Sequence, residues 1–186
     1  MLYPEIVIAG CGNPLFADDG FGPAVAEELM KFTLPGNVKA VDAGLCGPQF
    51  VFPLLDPEVT RKLIIIDIAD FGAKPGSITR FQIGDMPGGS LIGEHTGGIM
   101  ESLRQIGKTI DVTIIGCQPK CVTDPEMVIG LSDEVTRSIP KTIRIVLDMI
   151  GVQYGTPCRL PCPEEIVTGN CDHSTGTGSL TAEVPE

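Results

Sequence analysis

Apolar positions along the chain repeat in two ways. Three short runs, 5–11 (EIVIAGC), 62–68 (KLIIIDI) and 111–116 (DVTIIG), are almost continuously apolar. Such runs are expected of strands covered on both faces. Residues 37–42 (NVKAVD) read as a further strand ending at Gly44, and 77–83 (SITRFQI) alternate like an edge strand. Between the strands the period lengthens. Residues 20–32 place Val25, Leu29 and Phe32 at i, i+4 and i+7, the apolar stripe of a helix. Residues 97–106 and 132–150 also read as helices, and 48–55 as a short one. Asp133 and Glu134 suit the first turn of the last helix, and Pro140 inside it is expected to bend it. Strand and helix alternate, with connections too long for hairpins between the apolar strands. The predicted fold class is therefore α/β: a three-layer αβα sandwich with a mostly parallel, twisted sheet of about five strands and helices on both faces.

Length and charge narrow the function. A chain of 186 residues suits one domain. With 13 basic and 24 acidic residues the net charge is −11, which opposes a phosphate backbone, so no nucleic acid partner is expected. Aromatic residues are few, with no Trp, two Tyr and seven Phe, which disfavours base stacking. No apolar run approaches the roughly 20 residues of a membrane span. Glu5 near the start and the lack of a basic stretch there speak against a signal peptide, so a cytoplasmic location is expected. Seven cysteines, an odd number, do not suit a disulfide scaffold. Cys11 and Cys46 are expected to be small buried apolar residues, and Cys117 and Cys121 core or edge thiols. None has a nearby His arranged for a Cys nucleophile. Composition shifts after Val152: the domain is read as 1–152, followed by an acidic Cys/Pro/Gly-containing tail, 153–186. Cys158, Cys162, Cys171 and His173 in that tail lack the spacing of a common zinc site.

In an open parallel sheet, ligands bind at the carboxyl ends of the strands. Three groups of polar residues fall there. The first is Asp18-Asp19 in 10–22 (GCGNPLFADDGFG). The spacing is not that of a phosphate loop, and two carboxylates would repel a phosphate. A helix N-cap accounts for one Asp, not two. The second is Asp67, a carboxylate closing a strongly apolar strand; it needs solvent, a backbone amide or a partner. Asp70 competes with it but reads better as a turn residue. The third is His95, flanked by glycines in 93–98 (GEHTGG). Asp19, Asp67 and His95 together offer two carboxylates and an imidazole, a donor set for a borderline divalent metal with open positions.

These motifs resemble the [NiFe]-hydrogenase maturation endopeptidases. The resemblance covers about Ile6 to Ile150. It is carried by 10–29 (GCGNPLFADDGFGPAVAEEL), 41–48 (VDAGLCGP), 63–78 (LIIIDIADFGAKPGSI), 94–98 (EHTGG), 114–119 (IIGCQP) and the Pro-bearing last helix. The family's sheet is sandwiched by helices. Its members remove a C-terminal extension from the large subunit of a nickel–iron hydrogenase once nickel is in place. By motif match its nickel-recognising residues fall on Asp19, Asp67 and His95, and its catalytic carboxylates on Asp19 and Asp67. The resemblance implies an aspartyl-type hydrolase, nickel supplied by the substrate rather than resident, and a large-subunit precursor as partner. The acidic composition and cysteine-bearing tail suit the subgroup acting on deazaflavin-reducing hydrogenases of methanogens. A precursor without nickel would forgo contacts of about 1.5–3 kcal/mol each, which makes cleavage a checkpoint for metal insertion. Two other readings stand beside this one. A non-catalytic assembly factor on the same fold would bind the precursor or its nickel, and a nucleotide-binding α/β protein is disfavoured by the two Asp of the first loop.

Overall fold

The computed structural model describes residues 3–83, 85 and 96–152. His95 and the whole tail, 153–186, lie outside the described residues. Five strands form one sheet in the order β2-β1-β3-β5-β4. They are β1 (Ile6–Cys11), β2 (Val38–Gly44), β3 (Lys62–Ile68), β4 (Ile78–Gln82) and β5 (Asp111–Cys117). β2, β1, β3 and β5 are parallel, and β4 joins antiparallel at the edge. The α/β sandwich read from the sequence is the fold observed.

The layers follow from alternation along the strands. Ile64, Ile66 and Ile68 of β3 pack with Ile8 against Phe21, Val25 and Leu29 of α1 (Phe21–Leu29), and Ile143, Val146 and Leu147 of α5 (Ile139–Met149). Leu63 and Ile65 point the other way, packing with Val7 and Ile114 against Val51 of α2 (Pro48–Val51) and Leu103 of α3 (Thr96–Ile106). Every residue of β3 beyond Lys62 is buried, which is why its run is apolar without a period of two.

Two helices differ from expectation, each at a proline. The predicted helix 132–150 is two helices, α4 (Asp133–Thr136) and α5, and Pro140 lies in the first turn of α5. Pro140 therefore opens a helix rather than bending one, because a first-turn residue needs no N–H partner. Likewise Pro53 sits in the first turn of a single 3-10 turn, Phe52–Leu54, which follows α2 in place of a longer helix.

α1 lies unusually close to the sheet. A Cβ on Gly22 would overlap the carbonyl oxygens of Cys11 and Ile66, and one on Gly10 would overlap the Gly22 carbonyl. Gly10 in β1 and Gly22 in the first turn of α1 thus let the start of α1 press onto the carboxyl ends of β1 and β3. That contact brings the loop before α1 alongside Asp67.

Candidate active site

Asp67 is the penultimate residue of β3 and is 9% exposed. One carboxylate oxygen, Oδ1, accepts a 2.8 Å hydrogen bond from the backbone N–H of Ile68. Burial pushes its carboxyl well above the ordinary range, and the charge of Asp19 pushes it further; the Ile68 bond opposes both. The second oxygen, Oδ2, accepts no hydrogen bond among the described residues.

Asp19 stands in a single 3-10 turn, Asp18–Gly20, between β1 and α1. Its Oδ2 accepts a 2.8 Å bond from the Asn13 N–H, which closes the loop on itself. Burial raises its carboxyl, the Asn13 bond lowers it in part, and Asp124 raises it again. Gly12, at φ 125°, allows this closure: a Cβ there would overlap the Asp19 carbonyl oxygen. Asp19 and Asp67, from the loop after β1 and the end of β3, are thus two desolvated carboxylates, and the charge of the first raises the second. Each keeps an oxygen clear of its backbone bond.

The adjacent Asp18 has a different task. It is fully buried, and its carboxylate takes four hydrogen bonds. Oδ2 accepts from the N–H groups of Lys120 (2.8 Å) and Cys121 (2.9 Å) and from the Ser132 hydroxyl (3.0 Å); Oδ1 accepts from the Ser132 N–H (2.6 Å). Neither Asp18 nor Asp19 caps α1, whose N-cap is Gly20. Two adjacent carboxylates are explained by division of labour: Asp18 faces inward to a distant loop, and Asp19 faces the site. Ala17 just before them holds φ 55°, a left-handed conformation that costs a non-glycine residue energy. It is pinned there by its N–H donating to the Val128 carbonyl at 2.7 Å.

Asp70 is a turn residue: its Oδ1 accepts from the Gly72 N–H (3.1 Å) and from Gln118 Nε2 (3.2 Å). Gln118 escapes sequence reasoning. Its Oε1 also accepts from the N–H groups of Phe71 (2.9 Å) and Ala73 (3.2 Å), so one buried amide fixes the loop leaving β3. No spacing in the sequence signals such a role. Asp42 escapes it too. It pairs with Gly10 in the β1–β2 register and accepts the Gly44 N–H at 2.8 Å, beside the site at the end of β2.

The cysteines divide differently from expectation. Cys11 and Cys117 are buried, while Cys46 and Cys121 are exposed. Cys46, expected in the core, sits instead in a turn closed by the Gly47 N–H on the Gly44 carbonyl (3.1 Å), beyond the strand. Burial, with Asp67 and Asp42 nearby, pushes the Cys11 thiol up, and burial pushes Cys117 up to about 11. Neither is a ready nucleophile. Among the described residues no three His, Cys, Asp or Glu side chains are grouped to hold a metal ion. The donor set expected from the sequence contributes Asp19 and Asp67 here, and His95 lies outside the described residues. Two raised carboxylates with an oxygen each to spare fit a cation, which would favour their ionised forms.

The fold and the acidic pair at the carboxyl edge of a parallel sheet define a class: three-layer α/β proteins whose site is built from strand ends. The chain belongs, within that class, to the hydrogenase maturation protease family, whose HycI model matches residues 23–149. It is accordingly a peptidase. The chain is 41% identical over 152 residues to a coenzyme F420 hydrogenase subunit delta of Methanothermobacter thermautotrophicus, covering 80% of this chain and 96% of that one. It is 38% identical over 149 residues to a putative hydrogenase maturation protease of Methanocaldococcus jannaschii, covering 78% and 96%. The hydrogenase maturating endopeptidase HybD of E. coli has the same fold, with TM-score 0.66 and 24% identity, covering 79% of this chain and 92% of that one. No helix among the described residues is long and apolar enough to cross a membrane.

Proposed function

We propose that this peptidase removes a C-terminal extension from the large subunit of a [NiFe]-hydrogenase after nickel has been inserted, and that Asp19, Asp67 and His95 read the nickel carried by the substrate. The observation that carries the reading is the carboxylate pair in which the charge of Asp19 raises the buried Asp67, inside a member of the maturation protease family. A buried carboxylate raised by the charge of a second, half-buried one is costly to ionise beside it. A cation arriving with the substrate lowers that cost, so a loaded precursor is held better than an empty one. The pair also suits hydrolysis. The Asp67 carboxyl is raised well above the ordinary range and Asp19 less so, so one member can take a proton from water while the other gives one to the leaving amine. Nickel belongs to the substrate in this reading. The 41% identity to a subunit of a coenzyme F420 hydrogenase supports a hydrogenase of that deazaflavin-dependent kind as the substrate's source. A cytoplasmic location suits a protease that acts on an unfinished enzyme.

Intact mass of a nickel-loaded large-subunit precursor incubated with the protein, beside a nickel-free control, tests this. Loss of a C-terminal peptide from the loaded sample alone is the expected result. Cleavage of both samples overturns nickel recognition, and cleavage of neither overturns the assignment of substrate.

A further inference from the structure

Among the described residues, all but one of the exposed large apolar side chains belong to segments at one edge of the sheet; the exception, Met30, is the C-cap of α1. Leu15, Leu45, Phe50, Met127, Val128 and Ile129 all lie in segments that follow the carboxyl ends of β1, β2 and β5. Met127 and Ile129 are 72% and 81% exposed. Their segment is held in place rather than merely crossing the surface. The Val128 N–H donates to the Leu15 carbonyl (2.8 Å), the Ala17 N–H donates to the Val128 carbonyl (2.7 Å), and the Asp18 N–H donates to the Cys121 carbonyl (3.2 Å). Asp18 adds its four carboxylate bonds to the two ends of the same segment. Contiguous exposed apolar side chains on a fixed backbone mark an interaction surface.

A groove of about 360 Å³ opens beside this segment. Its apolar walls come from Pro14, Pro23, Met30, Ile129 and Leu131. Gly20, the residue after Asp19, forms part of it, and a Cβ there would stand 2.9 Å from the Pro14 Cα and crowd the groove. Its charged lining residues are both acidic, Glu27 and Asp42, and no Lys or Arg among the described residues lines it. Lys31, one turn beyond Glu27, senses that charge but has its ammonium on Glu28 at 2.5 Å.

From these observations we propose that residues 127–129 and the adjoining groove form the docking surface for the substrate polypeptide, and that they take an apolar extended segment bearing a basic side chain. The inference rests on the proposed function, in which the substrate is a polypeptide. Apolar walls ending in two carboxylates match the aliphatic stem and cationic head of Lys or Arg. An acidic segment is repelled by the same pair, and so is a second copy of this chain, which carries its own −11. Gly20, which lines the groove, follows Asp19 in the chain, so a segment seated there lies against the loop that carries Asp19.

The test uses the full-length protein with the variants Ile129→Glu, Met127→Glu and Glu27→Lys, all at exposed positions. Cleavage of the nickel-loaded precursor is expected to show KM raised about tenfold in each, with kcat and melting temperature unchanged. Replacement by Gln of the Lys and Arg residues flanking the precursor's cleaved bond is expected to raise KM for the parent protein and to leave Glu27→Lys little further affected. Unchanged KM in all three variants overturns the proposal. A concentration-dependent dimer abolished by Ile129→Glu, with KM unchanged, assigns the surface to self-association and overturns it as well. If the parent protein cleaves no precursor, the reading of the activity fails separately, and titration calorimetry with nickel-free precursor decides the surface: weaker binding by the three variants supports it, and equal binding overturns it.

Discussion

Asp18 accepts a 2.6 Å hydrogen bond from the backbone N–H of Ser132, a residue 114 positions further along the chain. Ser132 is the N-cap of α4, yet its hydroxyl makes no cap bond and turns to the same carboxylate instead. A single buried side chain therefore ties the loop after β1 to the beginning of the last helical pair.

That tie should be visible in stability. Asp18→Ala strands three backbone N–H groups and a hydroxyl, and the expected cost is about 3 kcal/mol or more, read by urea unfolding. Asp18→Asn keeps the shape with fewer acceptors and should fall between that variant and the parent. Equal stability of Asp18→Ala and the parent would remove the tie from any account of this fold.

Asp67→Asn should act in the opposite sense on stability while abolishing function. A buried carboxyl whose pKa is raised on folding is held protonated more readily in the native state than in the unfolded one. Its contribution is fully present below the unfolded value and is lost as pH rises through the folded one, at about 1.4 kcal/mol for each pH unit that separates the two values. Asn carries no charge, so Asp67→Asn should raise the melting temperature at pH 7 and raise it much less at pH 4. Processing of a precursor should fall by at least about 100-fold in the same variant. Asp19→Asn should behave similarly with a smaller stability gain, since Asp19 is less buried. It should also lower the pH at which Asp67 titrates, because the charge of Asp19 is one reason the Asp67 carboxyl is raised.

Gly22→Ala is expected to destabilise the protein by at least about 2 kcal/mol, because the new methyl meets backbone carbonyls that cannot move without shifting β1 or β3. Gly36→Ala, where a Cβ meets nothing within 4 Å, is the matched control and should leave the melting temperature near that of the parent. Thermal denaturation of the two variants side by side makes the comparison.

Thiol alkylation of the native protein, mapped by peptide mass, should label Cys46 and Cys121 well before Cys11 and Cys117. The first two are exposed, and burial keeps the other two thiols protonated. Fast labelling of Cys11 would mean that the end of β1 opens to solvent.

Much of this protein can be read without its coordinates, because the signals involved are local. Apolar runs such as 62–68 identify buried strands, the 3.6-residue spacing of Val25, Leu29 and Phe32 identifies α1, and the alternation of the two identifies a parallel sheet with helices on both faces. Asp67, a carboxylate at the end of an apolar strand, is also conspicuous in one dimension, and so is the acidic pair Asp18-Asp19 in its glycine-bearing loop. What only the tertiary structure decides depends on contacts between distant residues. It separates Asp18 from Asp19 by burying one against residues 120–132 and leaving the other beside Asp67. It gives Gln118 its grip on the loop after β3 and moves Cys46 out of the core. It also sets Ile129 and Leu131 next to α1, although more than a hundred residues separate them from Asp19. The period of a pattern reports which face of its own element a residue occupies. Which distant backbone meets that face is set by chain closure and packing, and no local pattern encodes it.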